Sequence, residues 1–264
     1  MSRFITGDIH GSYDRLMQAL ELCKFSDNDT LYCTGDIGDR GPQVKACLEF
    51  LMSLGDKFKP VIGNHDVWAY LKLSGDIRRN EKDVWRYNGG QKTIEAFKEM
   101  DEEKLKAWYE KFPYMIEEDD FRLVHTLTFE SILDRCSIPL QDVRLGNLYS
   151  SGLTERGYAY DGELFDREIL YQSKYFQYKD CNPDWARKVC PLLDDKLTVV
   201  GHTPLTGGVL YDKKLNVCDI DTGGFCTYED HGYEGRITVL DIDTKEFVDS
   251  SGLKSNLNDV EVQY

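Results

Sequence analysis

Three apolar runs in the first quarter of the chain each end in a glycine and a polar residue, and they recur at a fixed step. Phe4-Ile5-Thr6 leads into Gly7-Asp8, Leu31-Tyr32-Cys33-Thr34 into Gly35-Asp36, and Pro60-Val61-Ile62 into Gly63-Asn64. The polar residues fall at 8, 36 and 64, a step of 28 each time. Between the runs lie helical patterns. Ser12 to Cys23 places Leu16, Ala19, Leu20 and Cys23 at i, i+3, i+4 and i+7. Pro42 to Leu54 places Val44, Leu48, Leu51 and Met52 on one face, with Pro42 suited to a first helical turn. The order is β-α-β-α-β. Right-handed crossovers make such strands parallel neighbours, and sheets of this kind bind ligands at the carboxyl ends of their strands. Asp8, His10, Asp36, Asp39 and Asn64 all belong to that rim.

Histidine follows the same logic. Of the five histidines, four sit in short motifs after β-rich runs: Gly7-Asp8-Ile9-His10-Gly11, Gly63-Asn64-His65-Asp66, Leu123-Val124-His125-Thr126 and Gly201-His202-Thr203. A further motif, Gly35-Asp36-Ile37-Gly38-Asp39-Arg40-Gly41, adds two aspartates and an arginine. His231 has no such context and reads as a loop residue.

The remaining chain is less regular. Residues 71–113 read mainly as helix, including one from Glu95 to Phe112, after a polar stretch from Ser74 to Gln91 that carries Arg78, Arg79, Arg86 and Gly89-Gly90. Exposed helix or loop charges account for those arginines as well as a substrate cleft does. Trp85 and Tyr87 read as packing residues or a lid. Strands are expected at Phe121–Val124, Lys196–Val200, Asn216–Ile220 and Arg236–Ile242, with a turn at Asp221-Thr222-Gly223-Gly224. Residues 131–188 show no clear period. One catalytic domain over 1–250 is expected, with a polar tail, 251–264, that frays unless Val260-Glu261-Val262 docks as an edge.

Composition excludes several classes. With 32 basic and 47 acidic residues the net charge is −15, which argues against a nucleic-acid binder. No run approaches the roughly 20 apolar residues of a membrane span, and the first residues show no signal-peptide core. The eight cysteines contain no C-x-x-C pair, so they read as reduced thiols in a cytoplasmic protein. Cys218, Cys226 and His231 match no familiar zinc spacing, and packing explains them better.

The rim therefore offers Asp8, His10, Asp36, Asn64, His125 and His202: two carboxylates, three imidazoles and one amide oxygen. A catalytic ion takes three or four protein donors, so this set suits two divalent ions sharing a carboxylate and an acidified water. Asp36, at the end of the central strand of three, is the natural bridge. Mixed oxygen and nitrogen donors favour manganese, iron or zinc over calcium or magnesium. Arg40 offers a planar fork for phosphate oxygens. His65 is placed to protonate a leaving alkoxide, with Asp39 holding its ring.

These ordered motifs resemble the calcineurin-like metallophosphoesterases, specifically the phosphoprotein phosphatase family and its prokaryotic and phage branch of Ser/Thr/Tyr protein phosphatases. The resemblance runs from Gly7 to Thr203. It implies an α/β fold, a four-layer αββα sandwich of two mixed sheets flanked by helices, with the metals at one sheet end. It implies that Asp8, His10 and the bridging Asp36 hold one ion, and that Asn64, His125 and His202 complete the second, manganese being expected first. It also implies a second arginine toward the phosphate, at Arg167 in Phe165-Asp166-Arg167-Glu168, beside Arg40 and Asn64. The chain departs from the family at Asp66, where glutamate is common, at Gly38, where a valine is common and its loss is expected to loosen the loop, and at Thr126-Leu127, where Ala-Gly is common.

Three functions compete. The first is a Ser/Thr protein phosphatase, with phosphotyrosine as a further substrate class, in which a hydroxide bridging the metals attacks phosphorus in line. The second is a nucleotide phosphoanhydride hydrolase of the diadenosine tetraphosphatase type; that branch often lacks the aspartate before the arginine, which here is Asp39. The third is a binding module with a silent site, but no ligand residue is lost. Substrates would be phosphoproteins or small phosphoesters, with no nucleic acid, membrane or named partner protein.

Overall fold

The first two apolar runs form strands β1 (Arg3–Thr6) and β2 (Thr30–Cys33). The third strand, β3 (Phe58–Pro60), lies two residues ahead of the Pro60-Val61-Ile62 run and shares only Pro60 with it. The two helical patterns form α1 (Tyr13–Leu22) and α2 (Val44–Ser53). The computed structural model describes residues 1–127 and 194–260. β1 pairs with β2 and β2 with β3, both parallel, as the crossovers require. β9 (Thr238–Asp241) runs antiparallel on the other side of β1, followed by β10 (Glu246–Asp249) and β11 (Lys254–Asn256). The first sheet thus has the order β11-β10-β9-β1-β2-β3.

The second sheet has the order β4-β5-β6-β8-β7, built from β4 (Met115–Glu117), β5 (Phe121–Val124), β6 (Leu197–Val200), β7 (Leu210–Asp212) and β8 (Val217–Asp219). β5, β6 and β8 are parallel, and the edge strands β4 and β7 are antiparallel. Two mixed sheets flanked by helices are the architecture the motifs led us to expect.

Strand alternation explains how the layers hold together. Phe4, Leu31, Cys33 and Val239 join a core shared with α1 and α2. Their neighbours Ile5, Tyr32 and Leu240 join a second core with Phe121, Val199 and Cys218 of the other sheet. Strands buried on both faces read as unbroken apolar runs, which is why they were visible in the sequence. Leu48 of α2 is fully buried in the helix-side core. Leu48→Ala is expected to destabilise the fold by about 2–5 kcal/mol, read as a lower urea midpoint with unchanged slope.

The middle helices differ from expectation. α3 (Asn64–Ser74) begins at the rim itself, seven residues before the predicted helical region. The polar stretch after it is partly helical: α4 (Arg79–Trp85), then a kinked π-turn over Arg86–Gly90 in which Asn88 and Gly89 leave helical φ/ψ. The expected helix from Glu95 to Phe112 is two, α5 (Gln91–Phe97) and α6 (Glu102–Tyr109). Asp101 explains the break, because its carboxylate caps α6 by accepting from Lys104 N at 3.1 Å. The tail does not fray where it is described. Residues 254–256 pair with β10 and Leu257 is fully buried, so a short apolar anchor outweighs the polar composition. A short helix α7 (Tyr228–His231) follows the turn after β8.

Candidate metal centre

The carboxyl ends of β1, β2, β5 and β6 meet at one edge of the sandwich, and the α3 N-terminus joins them. Asp8, His10, Asp36, Asn64, His125 and His202 are all buried there. Asp36 Oδ2 lies 3.6 Å from His10 Nε2 and 3.5 Å from His125 Nε2. His125 Nε2 is also 3.1 Å from Asn64 Oδ1 and 3.1 Å from His202 Nδ1. Asp8 Oδ1 is 4.0 Å from His125 Nδ1, and Asp8 Oδ2 accepts from His202 N at 3.0 Å. All six predicted donors are therefore gathered.

The tautomers say what the gathering can do. His10 Nδ1 sits 2.9 Å from Gly38 O, and His125 Nδ1 sits 2.7 Å from Thr34 O. A carbonyl only accepts, so both Nδ1 atoms carry the proton. In the neutral rings both Nε2 atoms then present lone pairs, and both face the same carboxylate oxygen. Burial, with the charges of Arg40 and His65, pushes His10 well below the usual imidazole range, so it stays neutral. Burial pushes the Asp8 carboxyl well up, and nearby Asp221, Asp36 and Asp219 add to this. Converging lone pairs and crowded buried carboxylates repel one another without a cation. The carbonyls on Nδ1 orient both rings as partners of metal-bound histidines do. The donor set fits divalent ions.

The backbone is strained where the site needs it. His10, Asp36, Asp39, Arg40 and His202 have φ of 45°, 50°, 70°, 50° and 70°. Non-glycine residues seldom occupy this region, and such strain gathers at functional sites. Asp66 braces the arrangement: its carboxylate accepts from the backbone N–H of Asp36, Ile37 and Gly63 at 2.7, 3.1 and 3.0 Å. It ties the start of α3 to the Asp36 turn. A Cβ at position 63 would stand 2.1 Å from Asp36 Oδ1, so only glycine fits. Asp219 and Asp221 accept from backbone N–H two residues on, at 3.0 and 2.9 Å, as turn-forming residues do.

Beside the donors lies a second group. His65 Nδ1 is 2.5 Å from Asp39 Oδ2, and His65 Nε2 accepts from Arg40 Nη2 at 3.1 Å. The Arg40 guanidinium stacks on the Phe225 ring at 4.5 Å, and Phe225 packs edge-on against His10. Burial pushes the Asp39 carboxyl up to about 7, against the lowering effect of Thr93, Trp85 and Arg40. One ring nitrogen each of His10 and His65 and a carboxylate oxygen of Asp36 also lie within 4.8 Å of one another, so His65 has a geometric claim as a ligand. Arg40 speaks against it, since a guanidinium N–H occupies its free nitrogen.

Sequence reasoning missed three contributors. Thr34 donates to Asp8 Oδ1 at 2.6 Å while its carbonyl orients His125. Trp85 and Thr93 both bond Asp39. Trp85 is no lid, being fully buried, whereas Tyr87 is 86% exposed. Gly38 leaves no gap in its loop. A Cβ there would meet Thr93 Oγ1 at 2.8 Å, so the space a valine would fill belongs to the Thr93 hydroxyl. Arg167 lies outside the described residues.

Comparisons with known proteins agree with this geometry. The family model described as calcineurin-like phosphoesterase matches residues 1–228. A symmetrical bis(5'-nucleosyl)-tetraphosphatase of Vibrio parahaemolyticus serotype O3:K6 (strain RIMD 2210633) is 38% identical over 126 residues, 47% of this chain and 44% of that protein. The match thus spans less than half the length of this curated relative. A solved structure provisionally assigned as a diadenosine tetraphosphatase superposes with a TM-score of 0.57 at 18% identity, covering 94% of this chain and 91% of that one. The cold-active protein-tyrosine phosphatase of a psychrophilic Shewanella species superposes with a TM-score of 0.53 at 19% identity, covering 97% and 80%. At such identities both are likenesses of fold.

Proposed function

The chain belongs to the calcineurin-like phosphoesterase family, and on that basis we propose that it is a metal-dependent phosphomonoesterase acting on phosphoserine and phosphothreonine, with phosphotyrosine as a further substrate class. The observation that carries this reading is the Asp39–His65–Arg40 group. An alkoxide is a poor leaving group and needs a proton as the ester bond breaks. A nucleotide leaving from an anhydride is a far weaker base and does not. A built proton donor therefore supports an alkyl ester substrate.

In this reading Asp8, His10 and Asp36 would hold one divalent ion, and Asn64, His125 and His202, with Asp36, would hold a second. When bound, the ions supply an acidified water and neutralise charge on the phosphoryl oxygens. Arg40 swings from His65 onto two phosphate oxygens, which frees Nε2. A water oxygen bonds to phosphorus as the bond to the ester oxygen breaks. Once Arg40 leaves it, His65 Nε2 takes up a proton from solvent; the ester oxygen departs with the electron pair and takes that proton, while the attacking water releases its own proton to solvent. Asp39 keeps the ring aligned and balances its charge while it is protonated. Asn64 and, outside the described residues, Arg167 are proposed to face the phosphate as well. Manganese is the first choice of metal, with iron or zinc next, because imidazole and carboxylate donors are mixed. Among the described residues all five cysteines are free, which supports a reducing, cytoplasmic setting, and no helix among the described residues is long and apolar enough to cross a membrane.

The curated relatives favour a second reading, hydrolysis of dinucleoside tetraphosphates. Assaying a phosphoserine peptide and a dinucleoside tetraphosphate side by side decides between them. Higher kcat/KM for the peptide is expected, and a strong preference for the nucleotide overturns the first reading. Chelation is expected to abolish either activity, and manganese to restore it better than magnesium.

A further inference from the structure

Asp39 receives more donors than holding one imidazole requires. Oδ2 takes the Trp85 indole N–H at 2.6 Å besides the His65 ring, and Oδ1 takes the Thr93 hydroxyl at 2.5 Å. Thr93 Oγ1 in turn accepts from Asp39 N at 2.8 Å, so one hydroxyl grips both the backbone and the carboxylate of the same residue. Trp85 and Thr93 are fully buried. They come from α4 and α5, on either side of the π-turn over Arg86–Gly90, so the helical layer fixes them independently of the rim. A carboxylate turns readily about its last torsion, and a strand-end loop alone would not set its plane. Threonine is stiff at χ1, and Gly38 leaves the space its hydroxyl occupies. Packing alone would need neither the indole N–H nor the hydroxyl.

We propose that Trp85 and Thr93 are positioning residues that hold Asp39, and through it the His65 ring, in line for proton donation, and so decide which leaving groups the site can expel. The inference rests on the reading of His65 as the proton donor. Its signature is selective. Losing either bond slows esters whose leaving oxygen needs a proton and spares esters whose leaving group departs as a stable anion. A residue that only supports the fold would slow both alike.

The test compares Trp85→Phe, Thr93→Val and Thr93→Ser with wild type and His65→Asn, using manganese-loaded full-length protein and a series of phosphate monoesters from nitrophenyl to alkyl. Thr93→Val is nearly isosteric and Thr93→Ser keeps the hydroxyl, so the pair separates bonding from packing even if Trp85→Phe folds poorly. We expect Trp85→Phe and Thr93→Val to lose about 10–100-fold in kcat on the alkyl ester, with little change on the nitrophenyl ester and in metal content. Thr93→Ser should stay near wild type. In metal-free protein, the low-field proton resonance of the short His65 Nδ1–Asp39 bond, assigned by its loss in His65→Asn, should move in Thr93→Val and stay in Thr93→Ser. Equal losses on all esters, or an unmoved resonance with no loss, overturn the inference. If His65→Asn itself shows no leaving-group dependence, the reading of His65 falls, and the inference falls with it.

Discussion

His65→Asn is expected to lower turnover of an alkyl phosphoester by about 10²–10⁴-fold, or about 3–5 kcal/mol in barrier, with metal content unchanged. The geometry separates the two effects. His65 N donates to Asp36 Oδ1 at 2.9 Å, and a backbone N–H survives the substitution. An asparagine amide can still reach Asp39, yet it places no titratable nitrogen where Nε2 stood. Elemental analysis after dialysis and steady-state kinetics on one sample give both numbers. The rival assignment makes His65 a third donor beside His10 and Asp36. It predicts that metal and activity fall together, and that outcome would remove His65 from its proposed role.

The parts of the molecule that were legible share a physical cause. β1 and β2 bury both faces, so their sequences are continuously apolar and end abruptly in Gly-Asp. Histidine is rare, so its clustering at strand ends stood out. The edge strands β7 and β11 gave no such signal: they are three residues each, half wet and mixed in composition. Helix boundaries followed caps rather than periods, as Asp101 illustrates. The harder loss concerns residues that serve the site through bonds across the fold. Trp85 and Thr93 reach Asp39 over 46 and 54 residues, and no local pattern marks a tryptophan for its N–H or a threonine for its hydroxyl. Gly38 was visible as an oddity, but its meaning needed Thr93. Asp66 was visible as a departure from the family pattern, yet its three backbone partners on two loops were invisible in one dimension.

Asp36→Asn is expected to be the most damaging single exchange at the rim. Asn has the same shape, tolerates the left-handed backbone Asp36 adopts, and can still accept from His65 N through one oxygen. What it removes is the charge at Oδ2, the atom facing both His10 Nε2 and His125 Nε2. If that atom is shared, both ions should leave together, and activity should fall by about 10³-fold or more, the several kcal/mol that bound metal supplies. His10→Ala should cost chiefly one ion. Stability gives a reading independent of activity. Asp8 is buried with the carboxylates of Asp221, Asp36 and Asp219 near it, so removing the Asp36 charge relieves repulsion on Asp8 in the metal-free protein. Metal-free Asp36→Asn should therefore melt higher than metal-free wild type. Added manganese should raise the wild-type melting temperature by mass action and leave the variant unmoved. A variant that binds one ion firmly and melts higher with manganese would mean that Asp36 serves a single ion, and the shared carboxylate would have to be sought elsewhere, with Asp8 the next to test.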